Sequence, residues 1–410
     1  MNDFFASPSA PPPSSSPPPS EPSPKRRAVR GARVSGRQLA ATALTVVVAL
    51  AVFEAVHTVS SPAPTAGHSG APPGTAASVS GNSGPAAARG MNVLLVGLDA
   101  RDGVTAQQKS EFHLGGAACH CTDTMMLVHV AENRRRVSVV SLPRDSLARI
   151  PAYTDEKGKA HRSRSAKLNA AYAKGGAALT MRTVEKMTGL HIDRFLPVDF
   201  SRFMKTVDGL GGLDVCTDRP LEDAATGLDL PAGTTRLSGG KALQYARSRH
   251  VDDQADFGRI KRQQKFIVSF VKEIADDGTL RSPARMAILA SVLLPEVTAV
   301  PTERAFTVKD MVLLAHDLRN VSLDSLEFST VPVKGSLTVK GVGSTVVWDA
   351  ARSAAVFRAV RADQSLTTAT AAKPAGQSLT TTAAATPAGH PAVARRNEFV
   401  PVRGSELACP

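Results

Sequence analysis

The chain has 410 residues, 42% of them hydrophobic and 21% charged, with a formal net charge of +13. Low-complexity stretches at residues 7–24, 60–90 and 364–394 bury too little apolar surface to offset ordering entropy, which leaves about residues 90–360 for one sizeable core. That region keeps an excess of +7, suited to an anionic ligand or surface, and the four cysteines form no CxxC pair and no zinc-finger spacing.

In chain order, residues 1–37 read as a disordered basic N-terminus, closing with Lys25, Arg26, Arg27, Arg30, Arg33 and Arg37. Residues 39–53 (LAATALTVVVALAVF) carry no charge. With the apolar run extended to Val59, a transmembrane helix is expected over 38–59, close to the ~20 residues that cross a bilayer. The basic cluster precedes this run and none follows it, so the N-terminus is expected in the cytoplasm and the rest outside. A cleaved signal peptide is the rival, but the run exceeds a usual signal h-region. The expected location is therefore the cell membrane, single-pass, with an extracellular C-terminal domain. Residues 60–90, rich in Ala, Gly, Ser, Pro and Thr, read as a disordered linker.

The domain itself is expected over 91–360. Met91–Leu98 (MNVLLVGL) predicts a buried strand, followed by strands over 124–130 and 137–142, the last stopped by Pro143. Helical spacing predicts helices over 168–189, 199–208, 239–245, 253–276, 283–296 and 308–317, with late strands over 326–333 and 344–348. Interleaved strands and helices indicate an α/β fold, or an α+β layered one. Residues 361–410 read as a low-complexity tail. Outside the cytoplasm, Cys119 or Cys121 is expected to pair with Cys216, the alternative being free buried thiols; Cys409 is read as incidental.

Charged residues sit where this pattern places strand ends. Asp99 closes the first strand, Asp123 opens the second and Arg144–Asp145 follow the third, the edge at which α/β proteins hold ligands. Asp99 and Asp123 are candidates for a hard divalent cation, although aspartates at turns and caps are common. If Tyr245–His250 is extended, Arg247 and Arg249 share one side and form a fork for phosphate oxygens; a solvated basic edge strand has the same pattern. Asp256, Arg259 and Gln263 share a helical face, continued by the apolar stripe Phe266, Ile267 and Phe270. Lys167 and Asn169 form a polar pair before a helix. P-loop, HExxH, dinucleotide and GxSxG patterns are absent.

The order of these motifs resembles the LytR-CpsA-Psr family. It runs MNVLLVGLDAR at 91–101, TDTMMLVHV at 122–130, SLPRD at 141–145, KLNAAY at 167–172, VDGLGGLDV at 207–215, GGKALQYARSR at 239–249 and DFGRIKRQQ at 256–264. The resemblance covers about residues 90–335. It implies a layered α/β/α domain with a central mixed sheet. It implies a phosphotransferase that moves a cell-wall glycopolymer from a prenyl-pyrophosphate carrier to peptidoglycan at the membrane. Asp99 and Asp123 would hold Mg²⁺. Arg144, Arg247, Arg249, Arg259 and Gln263 would grip the pyrophosphate, Lys167 would reach the same phosphates, and Asp145 would orient its arginine neighbours. The prenyl chain would enter an apolar cavity whose lining the sequence does not assign. One departure stands out: Cys121–Thr122 replaces the family's Arg–Ser before Asp123, so one guanidinium is missing there, and the segment Glu111–His120 is longer than usual. A hydrolase of the prenyl pyrophosphate, or a non-catalytic envelope lipid-binding or regulatory protein, are the alternatives. Nucleic acid is not expected as a partner, because the only short basic cluster precedes the membrane segment.

Overall fold

The structure is a computed structural model that describes residues 90–115, 122–279, 282–294, 304–318, 321–371 and 399–410. No helix among the described residues is long and apolar enough to cross a membrane; the span expected over 38–59 lies outside them, as do Cys119 and Cys121.

Six strands form the central sheet: β1 (Met91–Leu98), β2 (Thr122–Val130), β3 (Val137–Ser141), β4 (Arg194–Asp199), β5 (Leu326–Thr330) and β6 (Val402–Arg403), in the spatial order β6-β5-β3-β2-β1-β4. The sheet is mixed. β1, β2 and β3 run as an antiparallel meander, while β4 joins β1 and β5 joins β3 in parallel. In β1 the two-residue period sends Leu94 and Val96 to one face and Val93 and Leu95 to the other. A strand with apolar residues on both faces is covered on both, which is the physical origin of the three layers.

On the first face lie α1 (Ala170–Thr188) and, late in the chain, α7 (Ala350–Arg361). α1 is broken at Gly175–Gly176, where Gly176 has φ +57°, a conformation open to glycine. The second face is covered by α2 (Phe200–Gly209), α3 (Gly239–Arg247), α4 (Asp256–Asp276), α5 (Pro283–Leu293) and α6 (Val308–Leu318). Local chemistry sets several of these starts: Asp199 and Asp349 accept the backbone N–H of Arg202 and Arg352, capping α2 and α7. The expected strand over 326–333 ends instead at Thr330, and a separate hairpin, Val333–Val339 with Gly343–Trp348, begins after Pro332.

Two readings of the C-terminus are corrected. Residues 399–410, expected in a low-complexity tail, return to the sheet: β6 pairs antiparallel with β5, and the following turn Gly404–Leu407 packs Leu407 beside Val268 of α4. Cys216, expected to pair with Cys119 or Cys121, is bonded to Cys409, with Cα atoms 5.5 Å apart. The reason is tertiary: the strand Leu213–Thr217 and the C-terminal turn both pack on α4, which brings together cysteines 193 residues apart.

Candidate functional site

Between the second face of the sheet and its helices lies a cavity of about 480 Å³, within the usual range of about 300–1,000 Å³ for ligand pockets. Its floor is the alternate residues of three neighbouring strands: Leu95 and Gly97, Thr124 and Met126, Leu196 and Val198. Its walls are Phe200, Phe203 and Val207 of α2, Leu243 and Ala246 of α3, and Phe266, Ile267 and Phe270 of α4. At one end the lining turns polar, with Asp99, Asp123, Arg144, Arg247, Arg249, Arg259 and Gln263. These follow from sheet geometry: Asp99 comes directly after β1, Asp123 is the second residue of β2, and Arg144 lies three residues beyond β3. α4 spans both zones, since Arg259 and Gln263 face the charged end and Phe266 and Phe270 the apolar one.

The charged end is a mesh of arginines and aspartates. Arg144 donates to Asp123 and lies near Asp145 (3.8 Å) and Asp256 (3.5 Å). Arg249 approaches Asp256 at 3.2 Å and Asp123 at 3.9 Å. Arg259, only 3% exposed, reaches the Asp123 carbonyl at 3.2 Å and Asp256 at 3.3 Å. Burial pushes the Arg259 guanidinium down to about 10, Asp256 working against that and the neighbouring arginines with it. Burial also lowers Arg247, whose guanidinium lies over the Phe200 ring at 5.2 Å and donates to the Phe112 carbonyl. Burial would lower Arg144 too, but Asp123, Asp256 and Asp145 outweigh it and raise it. All of these stay protonated near neutrality. Among the described residues, the Nε atoms of Arg144, Arg249 and Arg259 are buried without a hydrogen-bond partner. Two of these are held in ion pairs, Arg249 Nε 3.2 Å and Arg144 Nε 3.5 Å from Asp256, so Asp256 orients the guanidiniums that line this end of the cavity.

Most of the expected site residues converge here, though not always as expected. Arg247 and Arg249 share the cavity wall, but not through a strand's alternation: Arg247 ends α3 and Arg249 follows an extended Ser248. Asp256 does not line the cavity; it bridges Arg144, Arg249 and Arg259 from behind. Lys167 does not line it either and pairs with Asp145 at 3.1 Å. Asn169 makes no cap with its side chain, and its backbone N–H donates to the Arg144 carbonyl at 3.0 Å. Gln263 donates to Thr124 Oγ1 and to the Ala246 carbonyl, tying α4 to β2 and α3.

Three participants escaped the sequence reading. Arg101 clasps both Asp99 oxygens, at 2.7 and 2.9 Å, and that bond raises its own affinity for the proton. It adds a fifth guanidinium at the charged end; its place two residues after a strand-end aspartate was the available signal. Asp223 and His250 also line the cavity. Asp223 is 2% exposed and accepts from the N–H groups of Arg249 (2.8 Å) and His250 (3.2 Å), fixing the turn that carries Arg249. No local pattern marks this role of Asp223, because the residues it holds at the site, Arg249 and His250, are 26 and 27 residues away.

The two candidate metal ligands fit a hard cation in kind and number. Asp99 and Asp123 both line the charged end and both act electrostatically on Arg101 and Arg247. No cluster of three or more His, Cys, Asp or Glu suited to a metal exists among the described residues. Two carboxylates that leave further positions to phosphate and water are the Mg²⁺ pattern. Each is engaged by an arginine, Asp99 by Arg101 and Asp123 by Arg144, so a cation there would compete with or replace those pairings.

Fold and site together define an α/β/α protein with a cluster of arginines and aspartates at one end of an apolar cavity. Residues 61–360 match the LytR_cpsA_psr family, and the chain belongs to that family. It is 30% identical over 273 residues to the probable cell wall biosynthesis protein LcpB of Corynebacterium glutamicum, a match covering 66% of this chain and 61% of LcpB. It is 34% identical over 161 residues to the polyisoprenyl-teichoic acid–peptidoglycan teichoic acid transferase TagU of Bacillus mycoides, covering 39% of this chain and 49% of TagU. The chain thus spans less than two thirds of the length of these relatives. Among solved structures, protein gbs0355 from Streptococcus agalactiae shares the fold, with a TM-score of 0.52 and 23% identity over 67% of this chain and 88% of that one. So does TagV of B. subtilis, with a TM-score of 0.50 and 21% identity over 67% of this chain and 97% of that one.

Proposed function

We propose that this chain is a membrane-anchored phosphotransferase that moves a cell-wall glycopolymer from a prenyl-pyrophosphate carrier to peptidoglycan, with residues 38–59 as its anchor. The observation that carries this reading is the pairing of an apolar cavity with a charged end lined by four arginines, Arg144, Arg247, Arg249 and Arg259, beside Asp99 and its partner Arg101. A prenyl pyrophosphate has that division, a long apolar chain ending in a dense oxyanion. The names of LcpB and TagU, a cell wall biosynthesis protein and a teichoic acid transferase, agree with it.

Phosphoryl transfer asks a protein mainly for positioning and for neutralising charge. The Phe200, Phe203, Phe266 and Phe270 rings would take the prenyl chain and exclude water. Arg144, Arg249 and Arg259 would grip the pyrophosphate oxygens with donors already in place, so little reorganisation accompanies bond cleavage. Asp256 and Asp145 would hold those guanidiniums in position. Asp99 and Asp123 would hold Mg²⁺, which when bound supplies a further positive charge to the phosphate oxygens.

The test is incubation of the full chain, in detergent or vesicles, with a prenyl-pyrophosphate-linked glycan and peptidoglycan. Glycan joined to peptidoglycan, with prenyl monophosphate released, is expected. Prenyl monophosphate formed at the same rate without acceptor would instead mark a hydrolase.

A further inference from the structure

We infer that His250, held by Asp223, is the general base that takes the proton from the acceptor hydroxyl; this rests on the transfer reading above. His250 follows Arg249 directly and lies with it on the cavity wall. Its Nδ1 is 3.3 Å from Asp223 Oδ1. Asp223 is itself immobilised: it is 2% exposed and takes the N–H groups of Ala225, Arg249 and His250. Burial works to raise this carboxyl, but those bonds and the His250 ring outweigh it and hold it below the ordinary aspartate range. An ionised carboxylate on Nδ1 places the ring proton there and leaves Nε2 with a lone pair.

Nε2 has no partner among the described residues, and the side chain is 73% exposed. The histidine therefore stands on the open side of the mouth, where an acceptor too large to enter the cavity would arrive. Two charged groups beside this turn are engaged elsewhere: Arg219 donates to the Val251 carbonyl, and Asp252 pairs with Arg262. The inner carboxylates already have partners, Asp99 in Arg101 and Asp123 in Arg144. In the step, the acceptor O–H gives its proton to Nε2 while its oxygen attacks the phosphorus bearing the glycan. The bond from that phosphorus to the bridging oxygen breaks, and its electron pair leaves with prenyl monophosphate. His250 then returns the proton to the leaving phosphate or to water.

The experiment compares the full-length chain with its His250→Ala and His250→Asn variants, using a prenyl-pyrophosphate glycan and peptidoglycan. The alanine variant is expected to lose about 10²–10⁴-fold in kcat, with donor KM unchanged and partial recovery on adding imidazole. The asparagine variant keeps a donor for Asp223 but no base, and is expected to be equally slow. Activity restored by asparagine would make the histidine a structural prop for the turn and overturn the assignment. An alanine variant within twofold of wild type would overturn it too, while leaving transfer itself intact. A wild-type chain that transfers nothing would overturn the transfer reading, and this inference with it.

Discussion

Arg249 and Arg259 share one carboxylate partner, Asp256, yet differ in burial, and so they are expected to fail differently when altered. Arg249 is partly exposed and its turn is held by backbone bonds to Asp223, so removing its side chain should leave the domain folded. Arg249→Ala is expected to lower transfer about 10²–10³-fold, the usual effect of deleting one preorganised oxyanion donor, with an unchanged thermal midpoint. A near-normal rate would remove Arg249 from the site. Arg259 is buried against Asp123 and Asp256; Arg259→Ala would leave the Asp123 carbonyl without its donor and open a buried void, and should cost both activity and stability. At the same scale, Asp99→Asn and Asp123→Asn should each lower transfer and raise the Mg²⁺ concentration needed for half-maximal rate. Transfer that proceeds at full rate in excess chelator would rule out the metal.

Helix α4 joins the chemistry to the cavity, and its design was readable: the i, i+3, i+7 spacing of Asp256, Arg259 and Gln263 and the following Phe266, Ile267 and Phe270 lie along one side. A charge placed in the apolar zone should weaken the carrier's chain and spare its head group. Phe270→Asp is expected to weaken binding of a long-chain prenyl pyrophosphate at least tenfold and to leave a short-chain pyrophosphate analogue unaffected; equal losses for both would place the lipid elsewhere. The turn between α3 and α4 was less readable. Its anchor, Asp223, comes from a short hairpin strand, Leu221–Asp223, and reaches the turn only in the folded chain. Because the folded Asp223 carboxyl is held below its ordinary value of about 3.9, the stability it contributes is present above that value. It is lost as pH falls through the lowered folded pKa. Asp223→Asn should therefore flatten the acid limb of a plot of thermal midpoint against pH, and an unaltered limb would show the carboxylate to be inessential. α2 and α3 meet at Gly239, where an added Cβ would lie 2.2 Å from the Met204 carbonyl. Gly239→Ala is expected to cost about 1–3 kcal/mol in denaturant unfolding through overpacking.

Across the whole molecule, the C-terminal segment is bound to the sheet edge by β6 and to the strand Leu213–Thr217 by the Cys216–Cys409 bond. A cross-link closing 193 residues removes much unfolded-state freedom. Cys409→Ser is expected to lower stability by about 2–5 kcal/mol, and an unchanged denaturation midpoint would show the segment to be dispensable.

By itself the sequence determined β1, β2, β3 and helices α1 to α6 to within about three residues, because each is set by local periodicity and capping chemistry; it did not mark β4, β6 or α7, whose place is set by the sheet they join or cover. It also determined that Asp99, Asp123 and Arg144 stand at strand ends, since β1, β2 and β3 stop where their apolar runs stop. Only the tertiary structure decided what depends on distant packing. It placed Asp256 and Lys167 behind the arginines instead of in the cavity, joined Arg101 to Asp99 and Asp223 to His250, and paired Cys216 with Cys409. The physical reason is the same throughout. Local backbone preferences are written in neighbouring residues, whereas a charged side chain takes whichever partner the packed sheet and helices bring within about 3 Å.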